Sequence, residues 1–295
     1  MATRVRDVIA AATARLADAG VGSPRVDAAL LVAHALQTDR GRLVVVDSLT
    51  DDQHAHVRAL VDRRAGREPL QHILGAAAFG PVTLAVGPGV FVPRPETELL
   101  LEWAVHACAA VGPAPRVVDL CSGSGALALG VAALTDAGVV AVEKDPAALV
   151  WLRRNVTASP ESQRRRVEVR AGDATTLDWR RPTDGSVDVL VSNPPYVPAA
   201  ADVPAEVADH DPAVAVFGGE DGMSVITPMA SVIAAVLAPA GRCAIEHDDT
   251  TADRVVAALH ATDAFEEIVS HRDLTGRPRF VSARRRSAPA TTMGG

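Results

Sequence analysis

Residues 116–126 read Arg-Val-Val-Asp-Leu-Cys-Ser-Gly-Ser-Gly-Ala. The run from Arg116 to Leu120 is short, apolar and rich in β-branched residues, which predicts a buried strand. The glycines that follow predict a tight turn into a helix extending to about residue 135. A turn without side chains lets a ligand approach the backbone closely. By itself it separates no function from another, because many nucleotide folds share such a turn and some glycine pairs only pack a helix on a sheet.

The flanking sequence repeats the strand-then-helix pattern. A helix is expected over 96–111 and another over 146–158, with strands over 139–142, 167–170 and 187–192. Three later strands are expected over 241–246, 265–270 and 279–283. Alternation of this kind predicts an α/β fold with a mostly parallel sheet covered on both faces. In such sheets ligands sit at the carboxyl ends of the strands, where the strand order reverses. The first four strands end at the glycine turn, at Glu143, near Asp173 and at Asn193. A carboxylate at the end of the second strand is placed to accept hydrogen bonds from a ribose diol. Asp173 is placed to approach an adenine edge, or is a plain surface carboxylate. The turn departs from GxGxxG, having only Gly123 and Gly125 with Cys121 where a first glycine would fall. It resembles instead the Asp-x-Gly-x-Gly-x-Gly cofactor motif of the class I methyltransferases. That resemblance implies a Rossmann-like, seven-stranded, mostly parallel sheet and S-adenosyl-L-methionine as cofactor.

Asn193-Pro-Pro-Tyr196 is the most informative stretch. Two prolines lock φ and remove backbone donors, leaving carbonyls as acceptors only. The Asn193 side-chain oxygen is a further acceptor. A docked NH2 group can give one hydrogen to that oxygen and one to the carbonyl after Asn193. An amide nitrogen is a poor nucleophile, and two fixed acceptors favour the positive charge that develops on it. Tyr196, the only tyrosine of the chain, is expected to stack on the planar group. A rigid turn ending a strand would account for the proline pair but not for all four residues together.

The first 75 residues have a different texture. Val5, Val8, Ile9 and Ala12, and then Ala28, Leu31, Ala35 and Leu36, fall at helical spacing. Ser23-Pro24 and Ser48–Asp51 read as breaks with caps, so a bundle of four or five helices is expected over 3–74. Between 79 and 92 the alternation Val82, Leu84, Val86, the Gly87-Pro-Gly89 turn and Val90-Phe-Val92 predict a β-hairpin connector.

The chain has 295 residues and a net charge of -7, which argues against a general nucleic-acid binder. Arginines cluster at 63, 64 and 67, at 164–166 and at 284–286; solvated charge is the expectation for each, a local basic patch the alternative. Cys108, Cys121 and Cys243 form neither a CxxC pair nor a disulfide framework, so reduced thiols and no metal site are expected. No signal peptide or membrane span is read, which gives a cytoplasmic expectation.

Beyond these motifs the chain resembles the peptide chain release factor glutamine-N(5) methyltransferases over nearly its whole length. The resemblance rests on Arg67-Glu-Pro-Leu-Gln-His-Ile-Leu-Gly75, on Phe91-Val-Pro-Arg-Pro-Glu-Thr-Glu98, on His210-Asp-Pro212 and on Gly218-Gly-Glu-Asp-Gly222. It implies a helical substrate-recognition domain over 1–75, a hairpin linker over 76–92, a methyltransferase domain over 93–285 and a disordered tail over 286–295. It implies that Asn193, Pro194, Pro195 and Tyr196 grip the glutamine amide of the Gly-Gly-Gln tip of release factors. It implies cofactor contacts from Cys121, Ser122, Gly123, Ser124, Gly125, Glu143, Asp173, Ala174 and Asn193. Ala174 stands where the family often has an aromatic residue, and Glu143 where most members have Asp. The expected enzyme is a monomer with release factors as partners and no direct contact with nucleic acid or membrane. Asn-Pro-Pro-Tyr is shared with adenine-N(6) DNA methyltransferases, which keeps an adenine amine as the alternative acceptor. A non-catalytic module binding the cofactor or a ribosomal factor is a second alternative.

Overall fold

A computed structural model describes residues 3–287. Most of the tail expected over 286–295 therefore lies outside the described residues. In chain order the elements begin with β1 (Thr3–Arg4), α1 (Val5–Asp18), α2 (Pro24–Ala35), a 3-10 turn (Arg40–Val45), β2 (Ser48–Leu49), α3 (Asp51–Ala65) and α4 (Leu70–Leu74). Next come β3 (Ala76–Phe79), β4 (Val82–Ala85), α5 (Thr97–Val111), β5 (Arg116–Leu120), α6 (Ala126–Leu134), β6 (Gly138–Glu143) and α7 (Pro146–Ala158). Then follow α8 (Glu161–Arg164), β7 (Val167–Ala171), β8 (Val187–Ser192), α9 (Ala205–His210), α10 (Ala213–Val216) and α11 (Ile226–Val236). The chain closes with β9 (Leu237–Glu246), α12 (Ala252–Ala261), β10 (Phe265–Arg272) and β11 (Pro278–Arg285).

Two compact units result: residues 1–76 with 203–210, and residues 77–202 with 211–295. The first is helical. Pro24 opens α2, where its missing N–H costs nothing, and Thr50 caps α3 in a reciprocal box with Gln53. Gly75, at φ +71, ends α4 in the left-handed conformation that glycine adopts freely. Leu16, Leu31 and Val57 are buried in its core, the periodic positions of α1, α2 and α3. A two-residue ladder, β1 on β2, was not foreseen.

The first arginine cluster differs from the solvated expectation. Arg64 is buried and pairs with Asp27 at 2.8 Å and Glu206 at 3.1 Å. Arg67 pairs with Glu206 at 2.5 Å and donates to the carbonyls of Ala19 and Gly20. A buried guanidinium needs such partners for its charge and its N–H groups. Because Glu206 lies on α9, these ion pairs hold 203–210 in the helical unit.

The second unit is built on a seven-stranded sheet of order β10-β11-β9-β8-β5-β6-β7. β11 is antiparallel to both neighbours, while β5, β6, β7, β8 and β9 pair in parallel. Strand order reverses at β5, with β6 on one side and β8 on the other. Neighbouring residues of a strand serve different cores, as the pleat requires: Val117, Val189 and Val191 belong to one apolar cluster, Val118, Leu120 and Leu190 to another.

The hairpin is real but its turn is elsewhere. β3 pairs with β4 through Gly80-Pro81, with Gly80 at φ +47, and not across Gly87–Gly89. Val90–Val92 form no strand, because Pro93 and Pro95 offer no N–H to continue a ladder. Phe79, Leu84, Val86, Val90 and Val92 are all buried in one core cluster of the sheet unit.

Candidate active site

Register places the site. In the parallel ladders Leu120 is level with Val142 of β6 and with Ser192 of β8. The next residue of each strand, Cys121, Glu143 and Asn193, therefore opens at one edge of the sheet. All three line one cavity, with Ser122, Gly123, Ser124, Asp173 and Ala174. Gly125 does not line it.

The turn is strained where its sequence is unusual. Cys121, Gly123 and Gly125 have φ of +61, +54 and +88. Glycine meets that demand without cost, and Cys121 bears about 1–2 kcal/mol of left-handed strain. A Cβ on Gly123 would meet no protein atom within 4 Å, so its bareness leaves room on the cavity side. A Cβ on Gly125 would lie 2.7 Å from Leu152, so that glycine serves helix packing instead. Burial, with Glu143 and Asp119 nearby, pushes the Cys121 thiol far up, so it stays protonated.

Glu143 braces the turn from inside. Its Oε2 accepts from Gly123 N at 2.8 Å, and Oε1 accepts from Lys144 N and Asp145 N, each at 2.8 Å. Burial raises its pKa, and these backbone donors oppose the rise. Oε1 already takes two donors, while Oε2 takes one and keeps a lone pair for a diol hydroxyl. Asp173 is committed to Thr175 through Oδ1 and lies 3.5 Å from Lys144 through Oδ2. Ala174 is buried in the wall beside it.

Asp119 was missed in the sequence. It is 1 % exposed and lines the same cavity. Its Oδ2 accepts from Ser122 Oγ at 2.5 Å and Ala128 N at 3.1 Å. Oδ1 is buried with no hydrogen-bond partner among the described residues. Burial pushes its pKa up to about 7. The signal was available: an acid two residues before a glycine turn is the first letter of the class I motif. An orphaned acceptor, a second carboxylate and a bare Gly123 fit a cationic nucleoside such as S-adenosylmethionine.

At the other end of the cavity stand Phe91, Pro93, Thr97, Asn193, Pro195 and Pro212. Asn193 Nδ2 donates to Thr97 Oγ1 at 3.0 Å. Pro194 is buried and does not line the cavity; the half-buried Tyr196, expected to stack on the acceptor, does not line it either. A buried phenol needs a partner, and Tyr196 donates to Glu246 Oε1 at 3.0 Å. Two familial stretches meet here as well: Arg94 donates to Asp211 Oδ2 at 2.6 Å and stacks over Phe91. The glycine loop backs the motif. A Cβ on Gly222 would lie 2.3 Å from the Tyr196 carbonyl oxygen, and one on Gly218 2.7 Å from that of Pro195.

Fold and site together define a class I S-adenosylmethionine-dependent methyltransferase. A Pyrococcus furiosus methyltransferase shares the fold, with TM-score 0.50 and 15% identity over 70% of this chain and 89% of that one. Family models match residues 7–75 (PrmC N-terminal domain) and 83–210 (Conserved hypothetical protein 95). The release factor glutamine methyltransferase of Mycolicibacterium smegmatis is 53% identical over 96% of this chain and 98% of its own. That of Mycobacterium tuberculosis H37Rv is 45% identical over 95% of this chain and 91% of its own. The chain belongs to the release factor glutamine methyltransferase family.

Proposed function

We propose that this enzyme methylates the side-chain amide nitrogen of the glutamine in the Gly-Gly-Gln motif of peptide chain release factors, using S-adenosyl-L-methionine. The observation that carries the reading is the position of Asn193. Its side chain lies in the same cavity as the Gly123 turn and Glu143, with its NH2 end engaged by Thr97. The oxygen end is thereby left for an incoming N–H.

When bound, the cofactor supplies a methyl group on a cationic sulfur. Residues 121–124 of the turn, Glu143, Asp119, Asp173 and Ala174 would hold it. Asn193, which lines the cavity, accepts one hydrogen of the glutamine NH2 through Oδ1; the second goes to the carbonyl after it, although Pro194 itself does not line the cavity. These fixed acceptors orient the nitrogen toward the methyl and stabilise its developing positive charge. They keep the hydrogens engaged until one proton leaves to solvent. Tyr196, anchored on Glu246, fixes the end of the motif. The helical unit, with 203–210, recognises the release factor. The enzyme acts as a monomer in the cytoplasm; no helix among the described residues is long and apolar enough to cross a membrane.

An adenine amine would also fit two acceptors. The net charge of -7 disfavours it, since nucleic-acid affinity rests on neutralising phosphates. The test offers purified enzyme and labelled cofactor to a release factor or to DNA, followed by mass spectrometry. One added methyl on the Gly-Gly-Gln glutamine is expected, and label in DNA alone refutes the reading. Asn193→Ala should lose turnover while keeping cofactor binding, an outcome that separates an enzyme from a binding module.

A further inference from the structure

The amide of Asn193 has two nearly isosteric ends. Only its oxygen can receive an N–H; turned by 180°, it would point two donors at a donor. The choice between these states is made outside the cavity motif, by three side chains from separate elements. Asn193 follows β8, Thr97 opens α5 and Glu246 ends β9. Thr97 and Glu246 are each 3 % exposed. Thr97 Oγ1 receives the Asn193 Nδ2 hydrogen at 3.0 Å. Tyr196 donates to Glu246 Oε1 at 3.0 Å, and the Thr97 hydroxyl lies near enough to the same carboxyl to oppose the rise in its pKa that burial causes.

We propose that Thr97 and Glu246 are positioning residues that fix which end of the Asn193 amide faces the methyl acceptor. The reasoning is one of proton count. Burial raises the pKa of the Glu246 carboxyl to about 7; above that pH it is ionised and an acceptor only, so there the Thr97 and Tyr196 hydroxyls both donate to it. A threonine hydroxyl has a single proton. With that proton committed to Glu246, Thr97 can only accept from Asn193, and only the NH2 end of Asn193 can donate. The Asn193 oxygen is then set toward the cavity before any substrate arrives, which is the preorganisation that fixed acceptors require. A further consequence concerns the segment that leads into α5. Pro93, Pro95 and the Arg94–Asp211 pair set where the helix begins, and so where Thr97 stands.

This inference rests on the proposed role of the Asn193 oxygen as an amide acceptor. Four proteins separate the possibilities: wild type, Thr97→Ser, Thr97→Val and Glu246→Gln. Turnover on a release factor is measured beside cofactor affinity by calorimetry. Thr97→Val keeps shape and loses the hydroxyl, so kcat should fall about 10- to 100-fold with cofactor affinity unchanged. Thr97→Ser restores the hydroxyl and should restore most of kcat. Glu246→Gln keeps shape but can donate to Thr97, releasing the threonine proton toward Asn193, and should also lose kcat. Wild-type turnover in Thr97→Val or in Glu246→Gln would overturn the proposal, as would loss of cofactor binding in step with kcat. A second readout needs no substrate. The Asn193 side-chain NH2 resonances, assigned by their loss in Asn193→Asp, should move in Thr97→Val and stay in Thr97→Ser. Unchanged resonances in Thr97→Val refute the relay. A wild-type enzyme inert on release factors, with the resonances moving as expected, refutes the substrate assignment alone.

Discussion

Asp119→Asn should make the cofactor-free protein more stable at pH 8 and weaken its hold on the cofactor. The carboxyl is buried and its pKa stands at about 7 against an ordinary 3.8, chiefly through desolvation. At about 1.4 kcal/mol per tenfold change in proton affinity, ionising it in the folded state costs about 4 kcal/mol more than in the unfolded chain. Asparagine removes that cost, and its carbonyl can still accept from Ser122 and Ala128. Its NH2 replaces the unpartnered Oδ1, and an unsatisfied buried donor returns about 1–3 kcal/mol of penalty. The net gain is about 2 kcal/mol, or about 4–8 °C in Tm at about 2–4 °C per kcal/mol. The sign with pH follows from the raised value. Such a group stabilises the fold fully below 3.8, and the contribution is lost as pH rises through about 7. The gain should therefore be present at pH 8 and absent or reversed near pH 4. Thermal melts at both pH values, with and without S-adenosylmethionine, measure it. A Tm at pH 8 equal to or below wild type, or an unaltered rise in Tm on adding cofactor, would refute the reasoning.

Further outcomes follow from the geometry of the site and of the helical unit. Glu143→Gln sets an NH2 against backbone N–H groups of the turn, at Gly123 or at Lys144 and Asp145, and calorimetry should show at least about tenfold weaker cofactor binding. Gly222→Ala forces a Cβ to 2.3 Å from the Tyr196 carbonyl oxygen at φ +77. It should cost about 2–4 kcal/mol in thermal melts and lower kcat. Gly276→Ala, at φ +84 with nothing within 4 Å, is the control that should carry strain alone and keep kcat. Glu206→Ala removes one carboxylate from buried Arg64 and the ion-pair partner of Arg67. It should cost about 1–3 kcal/mol and speed proteolytic cleavage within 203–210, read by limited proteolysis beside thermal melts.

The sequence by itself determined the seven strands of the large sheet, the helices that alternate with the first of them, and the three strand ends at which the candidate site opens. Periodicity and turn residues are local signals, and in a parallel sheet of alternating strands and helices the ends must gather at one edge. Cys121, Gly123, Glu143 and Asn193 were legible for that reason. Thr97 and Glu246 were not, because nothing in the spacing of residues 97, 193 and 246 indicates that α5, β8 and β9 bring them within hydrogen-bond reach. The hairpin turn was misplaced because Gly80-Pro81 and Gly87–Gly89 are equally good local signals, and only the burial of Val90 and Val92 in the core selects between them. The arginines at 64 and 67 read as solvent charge because their carboxylate partner, Glu206, arrives from α9, far along the chain. What tertiary structure alone decided is how polar side chains distant in sequence satisfy one another once water is excluded. That pairing depends on position in space, and hydrophobic period carries no record of it.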